Sequence, residues 1–316
     1  MDIDGHASAD IAHSPAARRA LAEAVEGPRG AGESPSDYVA RIRRYVCGAV
    51  HGADAQAVPA LQPAQCRRLL DSATDEFAPW LERAGTTVTE IVGATPGQLA
   101  AVLNHMQAAA ARLTMSGPAV LDNVLMLARD AIARRVPGDF IEVGAWRGGV
   151  GVLLRAVIAA YAPHEQPPRT AWIADSFAGL PKPDPARHLD DAVLHHLMRA
   201  LDGLQVDRAQ VERGFARAGL LDAQVRVLAG WFADTLPAAP IERLALARLD
   251  GDWYESTLTA LDALYPRLSV GGFLIVDDYG LPTGCARAVD EYRTLHGIAA
   301  PLQRVDHQAV FWCKAR

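Results

Sequence analysis

Val136-Pro137-Gly138-Asp139-Phe140-Ile141-Glu142-Val143-Gly144-Ala145-Trp146-Arg147-Gly148-Gly149 is the stretch that decides how this chain folds. A Pro-Gly turn signal leads into a short apolar run with the composition of a buried strand, Phe140 to Val143. Three glycines, Gly144, Gly148 and Gly149, then open an apolar helical segment from Val150 to Tyr161. Strand, glycine-rich turn and helix is how doubly wound α/β sheets bring backbone close to a nucleotide-like ligand. Glu142 falls where the strand ends, and a carboxylate there suits the amino group of a zwitterion better than a pyrophosphate. The glycines also depart from Gly-x-Gly-x-x-Gly, which disfavours a dinucleotide and a dehydrogenase. The turn therefore reads as a loop for S-adenosylmethionine (SAM), the bland alternative being a tight βα turn with no ligand.

At 316 residues the chain is long enough for one full α/β domain with roughly a hundred residues to spare. Half of the residues are hydrophobic and 22% are charged, an ordinary globular composition. A net charge of −6 gives no footprint for nucleic acid. Cys47, Cys66, Cys285 and Cys313 show no metal or redox spacing, so reduced thiols and a cytoplasmic location are expected. The start of the chain lacks the basic and apolar regions of a signal peptide, and no apolar run approaches the ~20 residues of a membrane span.

Residues 1–110 carry helical patterns and no strand alternation, and are expected to form a helical accessory region with a flexible start. Gly27 to Gly32 reads as a flexible linker. Ser34 caps a helix through Arg44, separate helical patterns cover Pro63 to Ser72 and Phe77 to Arg83, and Thr95-Pro96-Gly97 begins another. His51 and His105 read as ordinary surface or packing histidines.

Residues 111–316 read as the Rossmann-like domain. Thr114-Met115-Ser116-Gly117 is a small loop able to fold over the cofactor, ahead of a helix from Pro118 to Arg135. A second strand, Thr170 to Asp175, ends in an acid; in this architecture that acid accepts hydrogen bonds from ribose hydroxyls. Pro185 to Gln205 is a polar insertion long enough to act as a lid. A third strand, Val225 to Leu228, opens into Gly230-Trp231-Phe232 near the adenine, where Trp231 stacks on the base or packs internally. Leu244 to Leu249 is a fourth strand, ending in Asp250-Gly251-Asp252-Trp253-Tyr254-Glu255. Gly271-Gly272 turns into a fifth, Phe273 to Val276, that ends at Asp277-Asp278-Tyr279-Gly280, and Gln308 to Cys313 closes the sheet. Strands alternating with helices imply a mostly parallel sheet covered on both faces.

Asp250 and Asp252 end one strand and Asp277 and Asp278 the next, at the carboxyl edge where ligands of open α/β sheets bind. Neighbouring acids there repel one another unless a cation joins them. An all-oxygen set without Cys or His favours Mg²⁺, with Asp250, Asp277 and Asp278 as candidate ligands; the alternative is a set of solvated strand-end acids. Bound Mg²⁺ would make an acceptor hydroxyl easier to deprotonate. Asp252 is the candidate base and His307 a weaker one. Trp146 or Tyr254 is placed to meet the sulfonium through a cation–π contact of ~1 kcal/mol.

These residues also resemble a known family. Glu142-Val143-Gly144-Ala145-Trp146-Arg147-Gly148-Gly149, Ala174-Asp175-Ser176-Phe177-Ala178-Gly179-Leu180-Pro181, Gly230-Trp231-Phe232, Leu249 to Thr257, and Gly271-Gly272-Phe273 through Val276 to Gly280 are similar to the macrocin O-methyltransferase family, over roughly Thr114 to Lys314. The resemblance implies an α/β, Rossmann-like class I SAM-dependent methyltransferase. It would be a SAM- and Mg²⁺-dependent enzyme acting on sugar hydroxyls of antibiotics, and a homodimer or higher homo-oligomer. It implies Asp250, Asp277 and Asp278 as metal ligands and Asp252 or Asp250 as base. Cofactor contacts are expected from Met115, Glu142, Gly144, Ala145, Trp146, Asp175, Ser176, Gly230, Trp231 and Asp250. A deoxysugar hydroxyl on a specialised metabolite is the expected acceptor, with a catechol or other aromatic acceptor as the rival. A non-catalytic SAM-fold binding protein is the rival from another class, and it would be expected to have lost the acids. The long N-terminal third and the insertion from Pro185 to Gln205 depart from the family pattern.

Overall fold

The computed structural model describes residues 27–48, 59–109, 112–201 and 205–315. The flexible start expected before residue 27, and His51, lie outside these.

Seven strands form one sheet in the order β3-β2-β1-β4-β5-β7-β6. β1 (Asp139–Val143), β2 (Ala171–Asp175), β3 (Val225–Ala229), β4 (Leu244–Leu249) and β5 (Leu268–Val276) are parallel, whereas β7 (Val310–Cys313) runs antiparallel beside β5. The order reverses between β1 and β4, so the crevice of a doubly wound sheet lies at the carboxyl ends of those two strands. β1 and β4 are almost wholly buried, as strands covered on both faces must be. One face packs against α1 (Pro35–Cys47), α5 (Pro118–Ala133), α6 (Gly149–Tyr161) and α8 (Arg208–Arg217). The other carries α9 (Phe232–Thr235), α10 (Tyr254–Leu264) and α11 (Cys285–Leu295).

A third core belongs to a helical lobe. It joins α2 (Pro63–Ala84), α3 (Val88–Val92) and α4 (Pro96–Ala109) to α7 (Leu189–Met198), which comes from the insertion between β2 and β3. Packing thus groups the helices differently from chain order: α1 packs against α6 in the core of the sheet domain, and α7 lies with the N-terminal helices.

Several local expectations are corrected. The two helical patterns after Pro63 are one continuous helix, because Cys66, Leu70, Ala73, Phe77 and Leu81 form a single buried stripe; Pro79 sits on its exposed side, where water can satisfy the freed carbonyl. The supposed linker after Gly27 is docked: Gly27 N donates to Arg217 O at 2.8 Å, and Arg41 donates to Gly27 O and Pro28 O. The insertion read as a polar lid folds as α7, with Asp191, Ala192, Val193 and Leu197 buried. Gly271-Gly272 is no turn ahead of the fifth strand but an irregularity inside it, where the β4–β5 register shifts. A short β6 (Gln303–Arg304) was not expected.

Candidate active site

The turn after β1 is built by close approach. Gly144 has φ 82°, and a Cβ there would lie 1.6 Å from Asp250 O, so only glycine lets the β1 and β4 ends meet. Gly149 N donates to Leu113 O at 3.0 Å, which draws the Thr114–Gly117 loop over the start of α6. The next strand end closes the turn from the side. Asp175 Oδ2 accepts from Trp146 N at 2.8 Å and Asp175 Oδ1 from Phe177 N at 2.8 Å. Burial raises the Asp175 pKa, while the hydrogen bonds from Phe177, Trp146 and Ala145 backbone oppose the rise. Ser176 Oγ donates to Gly179 O at 2.8 Å and accepts from Ala178 N at 3.0 Å.

These pieces surround an open cleft, about 700 Å³ when all the space out to its mouth is counted. Gly144, Asp175, Ser176, Trp231 and Asp250 all line it. Trp231 is 41% exposed, as an indole available for stacking would be. Gly230 (φ 136°) donates its N–H to Asp175 O and so joins the Trp231 turn to the second strand end. Met115 is on the loop over α6 and is 37% exposed, whereas Ala145 is buried in the turn. Trp146 adopts φ 47° and stacks against the Arg147 guanidinium at 4.7 Å.

Glu142 takes a place different from the one its position in the turn suggested. It is 2% exposed; Oε2 accepts from Gly151 N at 2.6 Å, and Oε1 pairs with Arg248 Nη1 at 3.1 Å. Its carboxylate is engaged inside the protein, beneath the cleft. Burial lifts its pKa to about 8 against the pull of Arg248.

Arg248 is the residue that sequence reasoning missed. It is the penultimate residue of β4 and is 1% exposed. Its Nη2 lies 2.8 Å from Asp250 Oδ2, 2.9 Å from Asp277 Oδ1 and 2.8 Å from Ser116 Oγ. Burial works against its charge, yet Asp250, Asp277 and Glu142 together raise its pKa. The signal was available: an arginine inside a strand buried on both faces must find charged partners.

Asp250, Asp277 and Asp278 each offer an oxygen within 4.8 Å of the others. Asp277 Oδ1 is buried without a hydrogen bond, since its contact with Arg248 is an ion pair lacking hydrogen-bond alignment. Arg248 engages one oxygen of Asp250 and one of Asp277, and Asp252 N donates to Asp278 Oδ2 at 2.9 Å, so each carboxylate keeps its other oxygen. The donor set, three carboxylates offering only oxygen, fits a hard divalent cation. Burial raises Asp250 to about 6, with Arg248 opposing, and burial and then neighbouring charge raise Asp278 well above its ordinary value.

Asp252 holds φ 59°, a left-handed conformation that non-glycine residues rarely adopt. Burial, then Asp250 and Asp277, push its pKa to about 8. His307, the weaker base candidate, is exposed on the loop between β6 and β7, whose backbone packs against Gly280. Tyr254 is already occupied: His188 stacks on it at 4.3 Å, Arg287 lies 5.0 Å from the ring, and its hydroxyl donates to Glu291 at 2.5 Å. The expected sulfonium contact therefore does not suit it.

The chain and its fold have known counterparts. The family model Macrocin-O-methyltransferase (TylF) matches residues 102–314. Mycinamicin III 3''-O-methyltransferase of Micromonospora griseorubida is 47% identical over 201 residues, covering 63% of this chain and 77% of that protein. Demethyldecarbamoylnovobiocin O-methyltransferase of Streptomyces niveus is 45% identical over 203 residues, 64% of this chain and 76% of that one. Among solved structures, the O-methyltransferase NovP is similar with a TM-score of 0.67 and 34% identity, over 90% of this chain and 100% of NovP.

Proposed function

This chain belongs to the macrocin O-methyltransferase family, and from that premise we propose that it transfers the methyl group of SAM to a sugar hydroxyl of a glycosylated specialised metabolite, with Mg²⁺ at the acid cluster. The observation that carries the reading is the convergence of Asp250, Asp277 and Asp278 beside a cleft lined by Gly144, Asp175, Ser176 and Trp231. The relatives named for glycosylated antibiotics support the acceptor class.

In this reading the cleft holds the methyl donor. Asp175 offers its remaining lone pairs to the ribose, the Trp231 indole covers the base, and the Gly144 turn admits the methionine portion without side-chain obstruction. Asp250, Asp277 and Asp278 would hold the metal, which when bound makes a coordinated hydroxyl more acidic and fixes its direction. Methyl transfer is an in-line displacement: the acceptor C–O bond forms as the methyl–sulfur bond breaks, and S-adenosylhomocysteine leaves. Asp252 takes the hydroxyl proton. Its strained backbone fixes the direction from which it acts. Glu142 and Arg248 act beneath, holding the β1 and β4 ends in register.

The helical lobe stands beside this site through α7. We propose that the lobe, built from residues 59–109 and the α7 insertion, shapes the acceptor pocket. The test is incubation with labelled SAM and a panel of macrolide and aminocoumarin glycosides, read by mass spectrometry with Mg²⁺ and with EDTA. Label is expected on the sugar, only with the metal. Label on the aglycone, or equal turnover in EDTA, would overturn the acceptor or the metal assignment respectively.

A further inference from the structure

Asp191, in the first turn of α7, is fully buried and belongs to none of the sequence motifs. Its Oδ2 accepts from Tyr254 N at 2.8 Å and its Oδ1 from Gly284 N at 2.6 Å. Each of those N–H groups opens a helix. Tyr254 is the first residue of α10, whose N-cap residue, Trp253, has no side-chain oxygen to serve as a cap; Gly284 is the N-cap residue of α11 and has no side chain. One carboxylate therefore caps two helices in trans, where orphan donors and both helix dipoles favour an anion.

The two helices begin just after the two acid-bearing loops. Asp250 and Asp252 lie between β4 and Tyr254, and Asp277 and Asp278 between β5 and Gly284. Asp252, two residues before Tyr254, donates its N–H across to Asp278. The loops are pressed together here: a Cβ on Gly284 would lie 2.6 Å from Tyr254 Cβ and 2.8 Å from Asp191 Oδ2. His188 repeats the bridge, its Nε2 3.1 Å from Glu255 Oε1 on α10 and its Nδ1 3.0 Å from Arg287 Nη2 on α11. On its other side α7 buries Ala192, Val193 and Leu197 in the core of the helical lobe.

We propose that Asp191 is a positioning residue that ties the two acid loops to the helical lobe and thereby sets the spacing between Asp252 and the acids that would hold the metal. The inference rests on the metal reading above. Asn at this position keeps the shape but can accept from only one of the two N–H groups, and it turns its NH₂ toward the other.

The full chain carrying Asp191→Asn is titrated with Mn²⁺ alone, followed by electron paramagnetic resonance, and SAM affinity, kcat, KM and the melting temperature are measured in parallel. Supporting-residue losses run about 10–100-fold in metal affinity or activity. A loss of that size is expected in Mn²⁺ affinity and in kcat, with SAM affinity unchanged. Wild-type protein that binds no Mn²⁺ overturns the metal reading and this inference with it. Wild-type binding with an equal Mn²⁺ affinity in Asp191→Asn overturns the inference alone, as does a variant that melts lower but keeps its metal affinity. If Asp191→Asn does not fold, His188→Gln is read in its place. It should lose Mn²⁺ affinity in the same direction, and a wild-type affinity there overturns the proposal.

Discussion

Replacing Arg248 with Met is the substitution that most directly tests how the strand ends are held. The guanidinium sits 3.1 Å from Glu142, 2.8 Å from Asp250 and 2.9 Å from Asp277. At an effective dielectric of about 20, each contact of that length is worth about 5–6 kcal/mol of attraction. Most of that gain is offset by the cost of taking the guanidinium and the carboxylates out of water. Removal of one partner from such a cluster leaves uncompensated buried charge, at a net cost of about 3–5 kcal/mol. The acids escape part of the cost by taking up protons, which gives the loss a pH dependence. Glu142 and Asp250 already have folded pKa values near 8 and 6, above the unfolded range. A raised carboxyl stabilises the fold fully below its unfolded pKa, and that contribution is lost as pH rises through the folded value. Without Arg248 both values rise further, and each carboxyl's share of the gap between variant and wild type opens above its wild-type value, so the gap should be small near pH 5 and large near pH 9. Urea unfolding at both pH values measures it. A loss under about 1 kcal/mol at the higher pH, or the same loss at both, would refute the account of a charge-bearing clasp.

Two further outcomes are expected. Asp252→Asn should lower kcat by about 10²–10⁴ while leaving SAM and Mg²⁺ affinity intact, as measured by steady-state kinetics and calorimetry; normal turnover would mean that the proton leaves by another route. Saturating Mg²⁺ should raise the melting temperature more at about pH 8 than at about pH 6, because the metal competes with protons for Asp250 and Asp278, whose pKa values are raised. The opposite order in a thermal-shift series would count against the acid cluster as the metal site.

The parts of the site that were legible in the sequence are those specified locally. The Gly144 turn, the acid at the end of β2 and the paired acids after β4 and β5 each lie within a few residues of a strand end, so strand, turn and helix signals place them on one rim. What was not legible is which distant groups Arg248 and Asp191 meet: Glu142 lies 106 residues from the first, and Tyr254 and Gly284 lie 63 and 93 residues from the second. The insertion misled for a related reason. Its Asp190, Asp191, His195 and His196 suggest a solvated stretch, but Asp191 caps helices of the sheet domain, and His196 lies 2.7 Å from Glu76 on α2. Polar residues that satisfy another element's backbone are indistinguishable by composition from polar residues that face water.

The charge balance at the rim explains why the site is built for a divalent ion in the reading proposed here. Glu142, Asp250, Asp252, Asp277 and Asp278 are gathered around the single guanidinium of Arg248. One positive charge holds Glu142, Asp250 and Asp277 in register, which lets the fold form, but it leaves the cluster well short of neutrality. Burial first, and then that deficit, raises the pKa values of Asp250, Asp252 and Asp278, so without further positive charge the cluster takes up protons. A divalent cation supplies what the guanidinium does not and would draw Asp252 back down toward ionisation. Arg248 then stays as the permanent partner of Glu142, keeping the cofactor turn attached to the strand that carries the acids. This division of labour would account for a buried arginine beside the proposed metal site, where its charge alone would oppose the ion.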